Sequence, residues 1–146
     1  MLTDIQKQRN EERIDTLEAA AQPSAREVMA DMEAAGFDAI VSFAKRDRAL
    51  QAKLYAARKP GERVSPPGWS MHEFGLALDI GILQDGTLIT NGGHPGYIEL
   101  GEVAKIRGWT WGGDFNGNKD PDHIEWHPGE TSKQAILRLR KDAGLA

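Results

Sequence analysis

The sequence predicts an α+β fold, a small antiparallel sheet flanked by helices, and three observations lead there. Helix-like and strand-like segments do not alternate in regular βαβ units. The dipeptide Asp85-Gly86 separates two β-prone runs and marks a hairpin. At 146 residues the chain can bury one core and leaves no room for a second, so residues 1–146 are expected to form a single domain.

Thr3-Asp-Ile-Gln6 has the form of a capping box and opens a charged helix to about Ala21, within an N-terminal segment 1–22. Its apolar positions are sparse (Ile5, Ile14, Leu17, Ala20), which predicts weak anchoring. Pro23-Ser24 ends it, and Ser24-Ala-Arg-Glu27 is a second capping box leading into Val28, Met29, Met32 and Ala35 before Gly36. Asp38 to Ala44 is apolar and β-branched enough for a strand; Asp47 then caps a helix over Arg48 to Arg58 with Leu50, Leu54 and Ala57 on one face. Lys59 to Trp69 holds three prolines and two glycines and must be loop.

Gly75 to Ile82 alternates as a strand and pairs through Asp85-Gly86 with Thr87 to Thr90. Tyr97, Leu100, Val103, Ala104 and Ile106 recur at helical spacing and stop at Gly108. Trp109-Thr-Trp111 is a short strand. Thr131-Ser-Lys-Gln134 caps a last helix with Ile136, Leu137 and Leu139 inward.

Composition excludes several partners. A net charge of −4 without a Lys/Arg run argues against nucleic acid or an anionic membrane surface. No apolar run approaches the ~18 residues of a membrane span, so no membrane insertion is expected. Met1 to Gln22 has no apolar signal core, and synthesis in the cytoplasm is the expectation. There is no cysteine, so any metal must sit on histidine and carboxylate.

Two stretches supply such groups: Ser70-Met-His-Glu-Phe-Gly-Leu-Ala-Leu-Asp79 and Asp120-Pro-Asp-His-Ile-Glu-Trp126. Two imidazoles, a carboxylate ligand and a spare carboxylate are the inventory of a catalytic zinc site with an open position and a general base. Asp79 shares a strand face with Ala77 and Gly75, while Leu76, Leu78 and Ile80 point into a core. A strand-end aspartate often only accepts backbone N–H bonds, but a carboxylate between Leu78 and Ile80 is costly to bury unpartnered. His72 lies an odd seven residues earlier, so the chain must turn between them, and Gly75 can supply the turn.

A lone histidine is more often a satisfied polar residue than a ligand. His123 and His127, four apart, fit a helix face; the alternation with Ile124 and Trp126 and the following Pro128 favour a strand with His123, Glu125 and His127 on one face. His94, between Gly-Gly and Pro, reads as an exposed loop residue.

Ser70-x-His72-x-x-Gly75-x-Ala77-x-Asp79, followed by Trp111-Gly-Gly-Asp114 and Asp120-x-x-His123-x-Glu125, resembles the zinc peptidases that cut peptidoglycan stem peptides. These are the D-alanyl-D-alanine carboxypeptidases and dipeptidases of the vancomycin-resistance type and the phage L-alanyl-D-glutamate endolysins. The resemblance runs from about Ile40 to Trp126 and implies their Hedgehog-like D-Ala-D-Ala peptidase fold. It makes His72, Asp79 and His123 the zinc ligands and Asp120 the general base, and leaves His127 outside the ligand set, expected to be dispensable for metal. Arg46 and Gln51 match the family's arginine and glutamine, although the usual Ser-Gly-Tyr-Arg spacing is off by one at Ser42-Phe-Ala-Lys-Arg46. Ser70 matches the motif serine, which orients a ligand from behind, and Glu125 joins it as a supporting or substrate-contacting residue.

Asp114-x-Asn116-x-Asn118-x-Asp120-x-Asp122-x-x-Glu125 repeats EF-hand spacing with Lys119 at the glycine position. Some phage endolysins carry a calcium loop there, so Asp114, Asn116 and Asn118 are candidate Ca²⁺ ligands beside Zn²⁺. The resemblance implies a monomeric endolysin that hydrolyses the L-alanyl-D-glutamate bond of the stem peptide after holin-type release to the wall. A D-alanyl-D-alanine carboxypeptidase is the first alternative, and a non-catalytic metal-stabilised binding module the second. A two-His-one-carboxylate iron oxygenase fits less well, since its His-x-Asp pair is adjacent on a strand.

Overall fold

The computed structural model describes residues 1–145. Helix α1 (Asp4–Ile14) starts at the expected capping box: the Thr3 hydroxyl accepts from Gln6 N and the Gln6 side chain accepts from Thr3 N. It stops well short of Ala21, because Ile14 and Leu17 turn into the core and the chain folds back on itself. Helix α2 (Gln22–Ala34) begins two residues before the second box. Pro23 sits in its first turn, where a missing N–H is harmless. Ser24 instead accepts from Trp109 Nε1 at 2.9 Å and reaches Arg107 O.

Strand β1 (Asp38–Phe43), helix α3 (Arg48–Ala56), a 3₁₀ turn (Met71–Phe74), β2 (Ala77–Gln84) and β3 (Thr87–Leu88) follow. Then come α4 (Pro95–Ile106), β4 (Thr110–Trp111), β5 (His123–Glu125) and α5 (Ser132–Asp142). The sheet runs β1-β2-β5-β4 with β3 hairpinned onto β2, and every pairing is antiparallel. Asp85 and Gly86 both hold positive φ, as a two-residue primed turn requires.

Leu78, Ile80 and Ile82 on β2 are fully buried with Ile124 of β5, and α1, α2 and α4 cover that face through Ile14, Val28, Met32 and Leu100. The opposite face carries Asp79 and His123, which stand directly across from one another on β2 and β5. A smaller cluster of Met71, Ala77 and Ala135 pins α5 beside it.

Three expectations change. In α3 the buried residue is Gln51, not the leucine face; Leu50 is exposed. In α5 Ala135 is buried, whereas Leu137 faces solvent, because the helix touches the body along a narrow seam. His94 is half-buried and caps α4, its Nδ1 accepting from Gly96 N at 3.0 Å. Among the described residues no helix is long and apolar enough to cross a membrane.

Candidate metal centre

The odd spacing of His72 and Asp79 is resolved by the 3₁₀ turn. The Ser70 hydroxyl accepts from His72 N, the Glu73 carboxylate accepts from Ser70 N, and Gly75 closes the turn with φ +69°. Glycine is required there by the left-handed backbone, and an added Cβ would stand 3.1 Å from Glu18 N.

Orientation of each imidazole follows from its outer nitrogen. His72 Nδ1 donates to Ala44 O at 2.7 Å, which leaves Nε2 with a lone pair, 3.2 Å from Asp79 Oδ1. His123 Nε2 donates to Glu125 Oε1 at 2.7 Å, which turns Nδ1 toward Asp79 Oδ1 at 3.0 Å. Three electron-pair donors thus converge within 4.8 Å of one another. Such a cluster is repulsive unless a proton or cation fills it. With no metal, a proton does: burial pulls the His123 pKa down, but hydrogen bonds to Asp79 and Glu125 outweigh it and raise the pKa to about 10. Burial opposes the Asp79 charge, yet the hydrogen bond from His123 holds its carboxyl far below the usual range. Two nitrogens and one carboxylate oxygen fit zinc or a similar transition ion better than calcium.

Arg46 and Gln51 join this site. Arg46 Nη2 donates to Asp79 Oδ2 at 3.1 Å and Nη1 to Gln51 Oε1 at 3.4 Å, while Gln51 Nε2 donates to Ser65 O. The guanidinium also lies 4.2 Å over the Phe43 ring. Its buried Nε meets no acceptor among the described residues.

Asp120 sits on the rim, 4.0 Å from His123 Nδ1, with its side chain 54% exposed. Its backbone N donates to Gly112 O at 2.9 Å, and Trp111 Nε1 ties down Pro121 O at 2.7 Å. Asp122 went unnoticed in the sequence except as a step of the EF-hand pattern. Burial, then its hydrogen bond with Asp120, raises its pKa to about 8. The two neighbouring carboxyls thus favour holding one proton between them over both ionising.

Behind His123, Glu125 Oε2 is 2.6 Å from His127 Nε2, and His127 Nδ1 donates to Glu130 O at 2.9 Å. β5 ends at Glu125, so His127 lies beyond the expected strand, yet both histidines meet the Glu125 carboxylate in a relay that spacing did not reveal. Burial would push the Glu125 pKa up; hydrogen bonds from His123 and His127 hold it well below the usual range.

Asp114 belongs to no convergent His/Asp/Glu group among the described residues. Asp114 pairs with Lys105 Nζ at 3.1 Å, and Lys119 points back to Gly113 O. Asn116 and Asn118 line an open groove. The EF-hand spacing fails physically because Asp120, Asp122 and Glu125 turn to the His72–Asp79–His123 centre instead.

Three depressions meet at Asp120. A cavity of about 340 Å³ holds Arg46, His72, Asp79 and His123. A groove of about 890 Å³ runs past the other side of His123 to Trp69, Phe115 and Lys133. A third, of about 340 Å³, is walled by Ser42, Leu88, Tyr97 and Asp122.

Residues 63–126, which carry most of this centre, match the family model described as D-alanyl-D-alanine carboxypeptidase. Over this stretch the chain is similar to that family. It is 32% identical to the peptidoglycan L-alanyl-D-glutamate endopeptidase CwlK of Bacillus subtilis (strain 168), over 64% of this chain and 63% of that protein. Members of the same fold align along most of the chain. The L-Ala D-Glu endopeptidase ChiX of Serratia marcescens superposes with a TM-score of 0.61 at 21% identity, covering 87% of this chain and 96% of that one. The vancomycin-resistance D,D-pentapeptidase VanY, solved with Zn(II), gives 0.60 at 22% identity over 83% and 78%. These likenesses establish the D-Ala-D-Ala peptidase fold expected from the motifs.

Proposed function

We propose that the chain is a zinc peptidase of peptidoglycan that hydrolyses the L-alanyl-D-glutamate bond of the stem peptide, in the manner of an endolysin. The observation that carries this reading is the convergence of His72 Nε2, Asp79 Oδ1 and His123 Nδ1, with Asp120 beside them where three depressions meet. Zinc held by these three residues supplies a Lewis acid that polarises a carbonyl and acidifies a water toward pKa ~7.

The chain's own groups do the rest. Asp120, with Asp122 beside it, takes a proton from the attacking water and returns it to the leaving amine. Arg46 fixes the outer oxygen of Asp79 and presents its guanidinium to a developing oxyanion or a substrate carboxylate. Ser70 and Glu125 hold the two ligand histidines from behind.

An endopeptidase needs room for chain on both sides of the scissile bond, and depressions leave Asp120 in more than one direction. The likeness to CwlK supports the same bond. We infer further that the enzyme is made in the cytoplasm, acts as a monomer, and reaches the wall after holin-type release. A D-alanyl-D-alanine carboxypeptidase is the second reading, favoured by the family description and by the unpartnered Arg46 Nε, which suits a terminal carboxylate. A non-catalytic module would have no use for Asp120 at this place.

Mass analysis of digested sacculi separates these. New L-alanine carboxyl and D-glutamate amino ends, absent with chelator or with Asp120→Ala, are expected. Release of D-alanine alone would make the enzyme a carboxypeptidase, and intact stems would refute both.

A further inference from the structure

We propose that His127 is a positioning residue for the metal centre: acting through Glu125, it locks His123 with Nδ1 turned to the metal. The inference rests on the zinc reading above and reverses the expectation that His127 is dispensable.

Proton counting carries it. His127 Nδ1 lies 2.9 Å from Glu130 O, a carbonyl that can only accept, so Nδ1 bears a hydrogen. His127 Nε2 lies 2.6 Å from Glu125 Oε2, a separation that requires one proton in the link. With Oε2 occupied in this way, Glu125 has Oε1 left for His123, 2.7 Å away. That contact determines which edge of the His123 ring faces Asp79, because a half-turn of the ring would put a C–H against Glu125. The His127 side chain is fully buried and Glu125 nearly so, at the wall of the long groove. Removing the His127 donor leaves Glu125 with His123 and the Ser132 hydroxyl as its partners, and the carboxylate then has reason to rotate and turn its oxygens differently toward His123. The chain also runs out of the site: Glu130 precedes α5, so the helix that walls the long groove is tied by three links to a metal ligand.

A filler of the core would matter for stability alone, whereas a positioning residue also sets metal affinity. The test compares His127→Leu, which removes the donor, with His127→Gln, whose amide N–H can still reach Glu125. Zinc affinity is measured by competition with a chromophoric chelator on protein that circular dichroism shows to be folded, and cobalt(II) spectra report ligand geometry. His127→Leu is expected to weaken zinc by about 10–100-fold, the usual effect of losing such a partner, with His127→Gln recovering most of it. The cobalt spectrum is expected to shift in His127→Leu only. A folded His127→Leu protein with parental zinc affinity and spectrum overturns the proposal.

Should His127→Leu fail to fold, nitrogen-detected NMR of the zinc-loaded parent decides. His123 protonated at Nε2 with Nδ1 on the metal is expected, and the opposite tautomer overturns it. Parent protein that binds zinc in this way yet leaves peptidoglycan intact would refute the proposed function and not the role of His127.

Discussion

Gly112 cradles the proposed base, and Gly112→Ala is the sharpest perturbation available. An added Cβ would stand 2.3 Å from the carbonyl oxygen of Asp120. Carbon–oxygen contacts of this kind ordinarily begin near ~3.3 Å, so the Asp120 backbone must retreat by about 1 Å. The obstacle is backbone on both sides, held by the Asp120 N to Gly112 O bond, and has no flexible end to swing away. A misplacement of about 1 Å at a reacting group costs ~10² in rate, equivalent to roughly 2.7 kcal/mol of barrier.

Turnover of purified muropeptides is the assay, with kcat and KM resolved and bound zinc measured in parallel. The expectation is a ~10² loss in kcat; His72 and Asp79 lie on other elements, whereas His123 N donates to the displaced Asp120 carbonyl at 3.0 Å, so the bound zinc separates loss of the base from disturbance of that ligand. In an Asp120→Ala background the same change is expected to cost little, because the group it displaces is gone. Gly112→Ala turning over within about threefold of the parent, against the ~10² expected from displacement, refutes the reasoning.

Four further outcomes are expected. His72→Ala and His123→Ala each lose zinc and activity, and metal analysis after dialysis checks this; stoichiometric iron in the parent would redirect the assignment. Asp120→Asn keeps zinc while kcat falls by at least ~10², and activity surviving in Asp120→Ala but lost in Glu125→Ala would move the base to Glu125. Because the His123 pKa stands at about 10 in the metal-free protein, zinc must displace a proton near neutrality. Zinc titrations in buffers of different ionisation heat are expected to show about one proton released, with affinity rising up to ~10-fold per pH unit below pH 10. The same shift has a stability consequence: raised from its ordinary value of 6.5, His123 stabilises the metal-free fold fully below pH 6.5 and loses that contribution as pH climbs through about 10. Urea unfolding of chelator-treated protein at pH 6 and pH 10 measures it.

Local chemistry made some elements readable. Thr3 and Thr131 cap helices as their spacing predicts, and Asp85-Gly86 closes the hairpin. The alternation from Leu76 to Ile82 correctly puts Asp79 on the face opposite the core. Boundaries decided by tertiary contacts were not readable: Ser24 looked like a cap, but Trp109, far along the chain, claims its hydroxyl. The convergence of His72, Asp79 and His123 was legible as motifs, because their residue types and turn glycine are local. Asp122, His127 and the cradle at Gly112 were not, since each acquires its role from a partner that only folding brings within reach.

Asp79 and His123 face each other across neighbouring strands although 44 residues separate them. A cation gripping both is therefore a clasp fastened between distant parts of the chain, and it has nothing to grip until β5 has docked on β2. Metal at 1,000 times its dissociation constant adds about 4.1 kcal/mol to such a fold. Contacts completed after the folding barrier act on the reverse rate, so zinc is expected to leave refolding speed nearly unchanged and to slow unfolding. Loading would then govern how long the molecule endures among proteases, a matter of lifetime as much as of catalysis.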